Sequence, residues 1–386
     1  MEARSIVPRR YLNVQVDLSA VAHNTRIVRQ AVRRPATAVM AVVKADAYGH
    51  GAIDVARAAL DAGATWLGVC TTAEALELRR AGLDAPILAW LHNSVESMHL
   101  ATAADVDVSV QSARTLAFAV DAGRSAGRPA RVHLEVDTGL ARGGAALQRS
   151  AALLDAAKAA QGQGLVEVVS VWSHLSHGEV LGHHTLDDQA KLLDDTWRQA
   201  VDGGLTVRRH LAGSLSALTR PDLHLDMIRT GSALYGLLPY TERHSFDLRP
   251  AMRVTSHVAL TKRVEAGQGV SYEHDWVAPN ALNLALIPVG YADGIPRCLS
   301  GRLEVSIRGR RYPVVGRICM DQMTVNCGDE KVEEGEEVVL IGSESDGDPT
   351  MHEWALAMST TPCEVATYFD RPYANRQTVP AVGARS

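Results

Sequence analysis

The sequence predicts an α/β protein: a (β/α)8 barrel followed by a mainly β C-terminal domain. Three observations point there. Eight short apolar runs recur over the first two-thirds of the chain, amphipathic stretches separate them, and after about Leu248 the alternation gives way to β-type runs with Gly-rich turns. A length of 386 residues suits one large and one smaller core better than a single one. The expected division is an N-terminal segment 1–12, a barrel 13–247 and a second domain 248–386.

The eight barrel runs are Val39–Lys44, Thr65–Cys70, Pro86–Leu91, Val106–Val110, Arg131–Val136, Val166–Ser173, Val207–Leu211 and Leu225–Arg229. Each is short, largely apolar and closed by a turn or a polar residue, as a strand buried on both faces reads. Ile53–Ala62, Thr72–Ala81, Ser112–Asp121 and Leu186–Val201 carry Ala and Leu at helical spacing with charges opposite. A doubly wound sheet is the other architecture for such alternation. It is disfavoured because no strand runs into a GxGxxG turn with an acidic residue downstream.

In the second part Met252–Leu260, Leu282–Val289, Leu303–Ile307 and Val338–Ile341 read as strands. Only Met351–Ser359 reads as a helix, opened by a Thr350/Glu353 capping box. The polar tail after Arg371 reads as a weakly ordered end.

Hydrophobic residues make up 46% and charged residues 22%, and the net charge is -5. That balance argues for no nucleic-acid partner and no polybasic membrane contact. No apolar run approaches the roughly 20 residues of a membrane span. The opening MEARSIVPRR lacks the apolar stretch of a signal peptide. Five scattered cysteines without CxxC spacing fit a cytoplasmic protein with neither a disulfide framework nor a Cys-based zinc site.

Reactive side chains gather at one end of the predicted barrel. Lys44 ends strand one, Arg142 follows strand five, His174 ends strand six, Ser214 follows strand seven, and Arg229, Gly231 and Ser232 end strand eight. Barrel enzymes build their sites at this face, often with a phosphate site after strands seven and eight. Ser214, Gly231 and Ser232 suit a phosphate, since glycine lets backbone N–H groups approach and hydroxyls add donors. The apolar approach to Lys44 strips hydration from its ammonium and favours the neutral amine that Schiff-base chemistry needs. Tyr48, four residues on, is within reach of the same phosphate. Alone, a lysine at a strand end is an ordinary solvated charge. The string AVVKADAYGHG around it is more specific.

That string resembles the pyridoxal 5'-phosphate (PLP) motif of the alanine racemase family. YLNVQVDLSAVAHN, DTGLARGG, IRTGSALYG, GVSYEHDW, VGYADGIPR and GRICMDQ resemble further family motifs, in the family's order and across both expected domains. The resemblance implies a fold-type III PLP enzyme, an isomerase that interconverts L- and D-amino acids as a head-to-tail homodimer with shared sites. It implies that Lys44 carries PLP and acts as one base, with Tyr272 of the other subunit as the second. Arg229 would meet the pyridine nitrogen with His174 behind it, and Arg142 the phenolic oxygen. Tyr48, Ser214, Gly231 and Ser232 would hold the phosphate. Met320 and Asp321 would line the substrate carboxylate side, and Tyr291, Arg297 and Arg317 the entrance.

Several residues depart from the family pattern. Glu135 stands where many relatives carry a carbamylated lysine, and it is expected to orient Arg142 as an unmodified anion. Gly213 replaces asparagine, Leu140-Ala141 replaces Met-Gly, and Glu273 follows Tyr272 in place of glycine. Cys363 replaces a tyrosine that narrows the substrate entrance. His177 replaces a small residue and Glu179 an aspartate. Cys363 and His177 are therefore expected to touch the substrate and to admit an amino acid other than, or broader than, alanine.

Other readings are a PLP decarboxylase or aldolase on the same barrel, and a non-catalytic PLP-binding protein. The second base at Tyr272 and the β domain favour a racemase over both. His174, His177, His183, His184 and Glu179 could ligate zinc, but the adjacent His183 and His184 diverge, and no metal is expected. Trp66, Trp90, Trp172 and Trp197 read as packing.

Overall fold

The computed structural model describes residues 11–92, 94–371 and 374–380. The first ten residues, read above as no signal peptide, and residues 381–386 of the tail lie outside the described residues.

All eight predicted barrel runs are strands: Ala38–Val42, Trp66–Val69, Ile87–Ala89, Asp107–Val110, Ala130–Asp137, Val166–Trp172, Arg208–His210 and Met227–Thr230. They pair in parallel in chain order, and strand eight returns to strand one with Ile228 opposite Val39 and Arg229 opposite Met40. That closure makes a barrel and removes the edges an open sheet would leave. The strands are short because both faces are covered. One face fills the interior and the other packs under helices such as Ala52–Asp61, Thr72–Arg80, Ala113–Ala126 and Thr185–Asp202.

The second sheet has nine strands. Their order is Leu260–Val264, Leu282–Ile287, Met323–Gly328, Arg310–Val315, Glu304–Ile307, Glu337–Ile341, Met252–His257, Asn13–Asp17 and Asn375–Val379. Two expectations are corrected in this domain. Asn13–Asp17, which falls within the segment 13–247 expected for the barrel, pairs antiparallel with Met252–His257. Its alternating Val14 and Val16 bury one face only, which suits this sheet and not a barrel interior. The tail is not loose throughout, since Asn375–Val379 runs parallel to Asn13–Asp17 as an edge strand. Met351–Met358 is not the only helix, because Pro362–Thr367 follows it. Thr361 caps that helix and Pro362 takes its first turn, where a missing N–H costs nothing.

This arrangement seats the second domain on the mouth of the barrel. A Cβ on Gly49, beyond strand one, would meet the carbonyl oxygen of Ala366 at 2.9 Å. Arg376 of the edge strand pairs with Asp46 in the same turn.

Candidate active site

Lys44 leaves strand one into an unusual turn. Ala45, Asp46, Ala47 and Tyr48 all have φ between 48° and 56°, one left-handed helical turn built without glycine. Such geometry costs roughly 1–2 kcal/mol per residue and persists only where its surroundings enforce it. Glu74 accepts from Ala45 N–H at 2.8 Å, and Asp46 Oδ1 accepts from Ala52 N–H at 2.7 Å. His50 Nδ1 lies 3.0 Å from the carbonyls of both Ala47 and Tyr48. The clamp leaves Lys44 Nζ 5.8 Å from the centre of the Tyr48 ring and 6.0 Å from that of Trp90.

Arg229 is buried across the mouth from this turn. Its guanidinium donates to the carbonyls of Ser173 and Leu211 at 2.9 and 3.2 Å, and faces Nδ1 of His210 at 2.9 Å and of His174 at 3.1 Å. Both histidines must accept, because a guanidinium has only donors. Burial holds His210 well below the usual imidazole range. Burial, and then the charge of Arg229, holds His174 down to about 3. Burial also lowers Arg229, to about 10, against the opposing pull of Glu135. The arginine thus stays charged between two neutral rings.

The hydroxyls expected at a phosphate gather just beyond the ends of strands seven and eight. Ser214 Oγ accepts from Gly231 N–H at 3.0 Å and from Ala233 N–H at 3.2 Å. Gly231 and Ser232 are buried, and Gly231 lies against Tyr48, whose phenol is raised chiefly by burial. Gly213 sits beside His174, whose Cε1 a Cβ at this position would meet at 4.0 Å.

Tyr272 is absent from this cluster. It is 64% exposed on the second domain, in the loop Ser271–His274. Arg317 braces that loop by ion pairs to Glu273 and Asp275, and Ser271 Oγ donates to the Arg317 carbonyl at 2.7 Å. Glu273 therefore has a partner of its own, and Arg317 is a brace as well as an expected entrance residue. Tyr291 and Met320 are exposed on the same patch, with Tyr291 N–H on the Cys319 carbonyl at 3.0 Å and Ala292 N–H on the Met320 carbonyl at 2.8 Å. The approach needs Gly290, where a Cβ would lie 2.3 Å from the Cys319 oxygen. Asp321 and Arg297 are also exposed. One chain thus holds two separate groups of expected site residues.

Glu135 is buried and hydrogen-bonded to Ser109 at 3.3 Å. Burial raises its carboxyl. It makes no ion pair with Arg142, which is exposed, so any influence on Arg142 acts through charge at a distance. Cys363 stands on the helix Pro362–Thr367, its thiol pushed up to about 12 by burial and then by Glu179. The imidazoles of His177 and His183 stack at 3.8 Å and both face Thr185 Oγ1. Among the described residues no group of three or more His, Cys, Asp or Glu side chains is arranged to hold a metal.

Sequence reasoning missed His210, Glu74 and the second role of Trp172. The indole of Trp172 donates to Ser109 at 3.3 Å, and its ring carries the Arg229 guanidinium at 4.8 Å. Little in the sequence marks His210, because it follows Arg208 and Arg209 in VRRHL and reads as one more polar residue of that run.

Family models describe both parts of the chain: the alanine racemase N-terminal domain matches residues 16–239 and the alanine racemase C-terminal domain residues 251–377. The alanine racemase of Salinispora tropica is 48% identical over 357 residues, covering 92% of this chain and 95% of the relative. That of Mycolicibacterium smegmatis is 46% identical over 355 residues, 91% of each. The crystal structure of the alanine racemase of Streptomyces lavendulae, a D-cycloserine producer, superposes with a TM-score of 0.93 at 42% identity, covering 97% of this chain and 98% of that one. The enzyme of Streptomyces coelicolor gives 0.92 at 41% identity, covering 96% and 98%. These likenesses favour a racemase over a decarboxylase, an aldolase or a non-catalytic barrel. The chain belongs to the alanine racemase family of isomerases.

Proposed function

We propose that this alanine racemase-family chain inverts alanine with Lys44 and Tyr272 of the partner subunit as its two bases, working on PLP held at the barrel mouth. The carrying observation is the split between the two groups. Lys44, Tyr48, His174, Ser214, Arg229 and Gly231 converge within one chain, while Tyr272 is exposed on its other domain. A second copy placed head to tail supplies what the first lacks, as in the family's homodimers. The reading also assigns residues 13–247 chiefly to the PLP-binding barrel and 248–386 to the domain that contributes Tyr272.

The family is PLP-dependent, and the residues present fit that group. Tyr48, Ser214, Ser232 and the Gly231 N–H suit the phosphate, and Gly231 leaves space where a Cβ would crowd Tyr48. Lys44 suits the aldehyde and Arg229 the ring nitrogen. The chemistry that PLP supplies when bound is an aldehyde for the substrate amine and a ring to withdraw electrons from Cα. Lys44 Nζ takes or returns the α-proton on one face, and Tyr272 Oη does so on the other, so neither base crosses the substrate. Arg229 keeps its own proton, so a ring nitrogen held against it would stay unprotonated, and proton return at Cα would be favoured over side reactions. Arg142, Met320 and Asp321 orient the substrate carboxylate, and Tyr291, Arg297, His177 and Cys363 shape the way in.

Mixed dimers test the arrangement. Lys44→Ala and Tyr272→Phe proteins, each inactive alone, are unfolded and refolded together. Shared sites predict returning racemisation, because one site of each mixed dimer carries neither substitution. If the mixture stays inactive while wild type refolded alongside recovers, the sites are not shared.

A further inference from the structure

Behind Arg229 a line of buried polar side chains runs through the barrel interior, one from each successive strand. Arg229 of strand eight meets Nδ1 of His210, on strand seven, at 2.9 Å. Nε2 of His210 lies 3.0 Å from Ser170 Oγ of strand six. Ser170 Oγ lies 2.7 Å from Nδ1 of His133 on strand five, and Nε2 of His133 lies 2.9 Å from Asp107 Oδ2 on strand four. Arg131 clamps Asp107 at 2.8 Å and reaches the exposed Glu167 at 2.7 Å. His133, Ser170 and His210 are fully buried, and Asp107 nearly so. The Trp66 edge covers His133 and the Trp172 face covers His210.

The two ends fix every proton between them. A guanidinium can only donate, so Nδ1 of His210 accepts and its proton sits on Nε2. That proton points to Ser170 Oγ at 3.0 Å and, at 3.2 Å, directly to Nδ1 of His133, and the Ser170 hydroxyl hydrogen is free for the same Nδ1. His133 is then protonated on Nε2 and donates to Asp107. Burial alone would raise the Asp107 carboxyl, but its bonds to His133 and Arg131 hold it below the usual range, so it accepts as a carboxylate. All four links run the same way, and each polarises the next.

We infer that Asp107, His133, Ser170 and His210 are positioning residues, a one-way hydrogen-bond relay that fixes His210 as an acceptor at Nδ1 and so holds Arg229 in one orientation toward the cofactor ring. None of the four is placed at the substrate. The consequence for chemistry rests on the proposed position of Arg229 against the ring nitrogen. If the relay breaks, His210 can carry its proton on Nδ1, turn from acceptor to competing donor, and displace the guanidinium. Proton return at Cα would then lose ground to amino-group transfer, in which alanine, water and the cofactor joined to Lys44 would give pyruvate, the amine form of the cofactor and the free Lys44 amine.

The test uses PLP-loaded protein with 15N-labelled histidine. Side-chain 15N resonances, assigned by single His→Gln substitutions, should show His133 and His210 each as one tautomer protonated at Nε2. Ser170→Ala and Asp107→Asn should each give His210 a mixed tautomer signal and raise the pyruvate released per racemisation about tenfold. Ser170→Thr keeps the hydroxyl and should restore both readouts, which a mere packing role would not. A proton on Nδ1 of either histidine in the unsubstituted protein overturns the relay, even where the variants do not fold. So does a His210 signal indifferent to both substitutions. A tautomer change with unaltered pyruvate release upholds the relay and overturns the placement of Arg229 at the ring nitrogen.

Discussion

A Cβ on Gly231 would lie 2.4 Å from the hydroxyl oxygen of Tyr48, closer than the two atoms can approach. Tyr48 thus reaches the end of strand eight at a point where position 231 carries no side chain. Gly231→Ala must push the phenol away or shift the backbone whose N–H reaches Ser214. Losing one hydrogen bond to a charged phosphate is worth about 1.5–3 kcal/mol. The alanine variant is expected to bind PLP at least about tenfold more weakly, by absorbance titration of the apoprotein. Tyr48→Phe should cost a similar amount and the double variant little more, since both act on one contact. Additive losses would show that the two positions act independently.

Acid should unfold the apoprotein along a course set by its buried histidines. His50 is held down to about 4 and His174 to about 3, both chiefly by burial, and His210 lies well below its usual range. Below about 6.5 the unfolded chain takes up protons at these positions that the folded chain refuses. Their contribution is full above about 6.5 and is lost as pH falls from there to about 4 for His50 and about 3 for His174. Glu135 works in the opposite sense, because its raised carboxyl is protonated in the folded chain before the unfolded one. Urea titrations of the apoprotein between pH 7.5 and pH 4.5, on the order of one per half unit, should show stability falling steadily. His174→Gln should flatten the slope by up to about 1.4 kcal/mol per pH unit. An identical slope would mean that His174 is already protonated in the folded state.

The capping box at the head of Met351–Met358 closes in both directions. Thr350 Oγ1 accepts from Glu353 N–H at 3.2 Å, and the Glu353 carboxylate accepts from Thr350 N–H at 2.8 Å. Thr350→Ala orphans one helix donor and is expected to destabilise the second domain by about 1 kcal/mol. Urea unfolding followed by the fluorescence of Trp354 in that helix would register the shift.

That helix was legible because its start signal, apolar run and length agree. The barrel strands were legible for a similar reason, as runs such as Val39–Val43 cannot be anything but buried. Features of the second kind were not. Pro362–Thr367 is too short to show a period, and only Thr361, Pro362 and Glu364 announce it. Asn375–Val379 is a polar edge strand, so it lacks the apolar pattern that marks its neighbours. Val14 and Val16 declare a strand, but nothing local says that its partners lie near residues 252 and 375. In the site, Lys44 and the glycines announce themselves by motif. His210 does not, because its meaning depends on Arg229, which sequence places 19 residues away and the barrel places at 2.9 Å.

Cys363 offers a test of substrate breadth. Its helix lies over the Lys44 turn, and its thiol is close enough to Tyr48 to perturb the phenol and to Glu179 and Lys44 to be perturbed by them. With burial pushing the thiol up to about 12, it is a neutral, compact group at neutral pH. Its expected consequence for the substrate is therefore room. A pocket distinguishes substrates one methylene apart by only about 1–3 kcal/mol, and only where the wall is close. Cys363→Tyr brings the wall closer and adds a hydroxyl. The variant is expected to retain alanine racemisation while its kcat/KM for 2-aminobutyrate and serine falls about tenfold relative to alanine. Chiral product analysis of each L-amino acid in deuterated buffer supplies the ratios. An unchanged ratio would place the specificity of this racemase elsewhere on its entrance, with His177 the next position to vary.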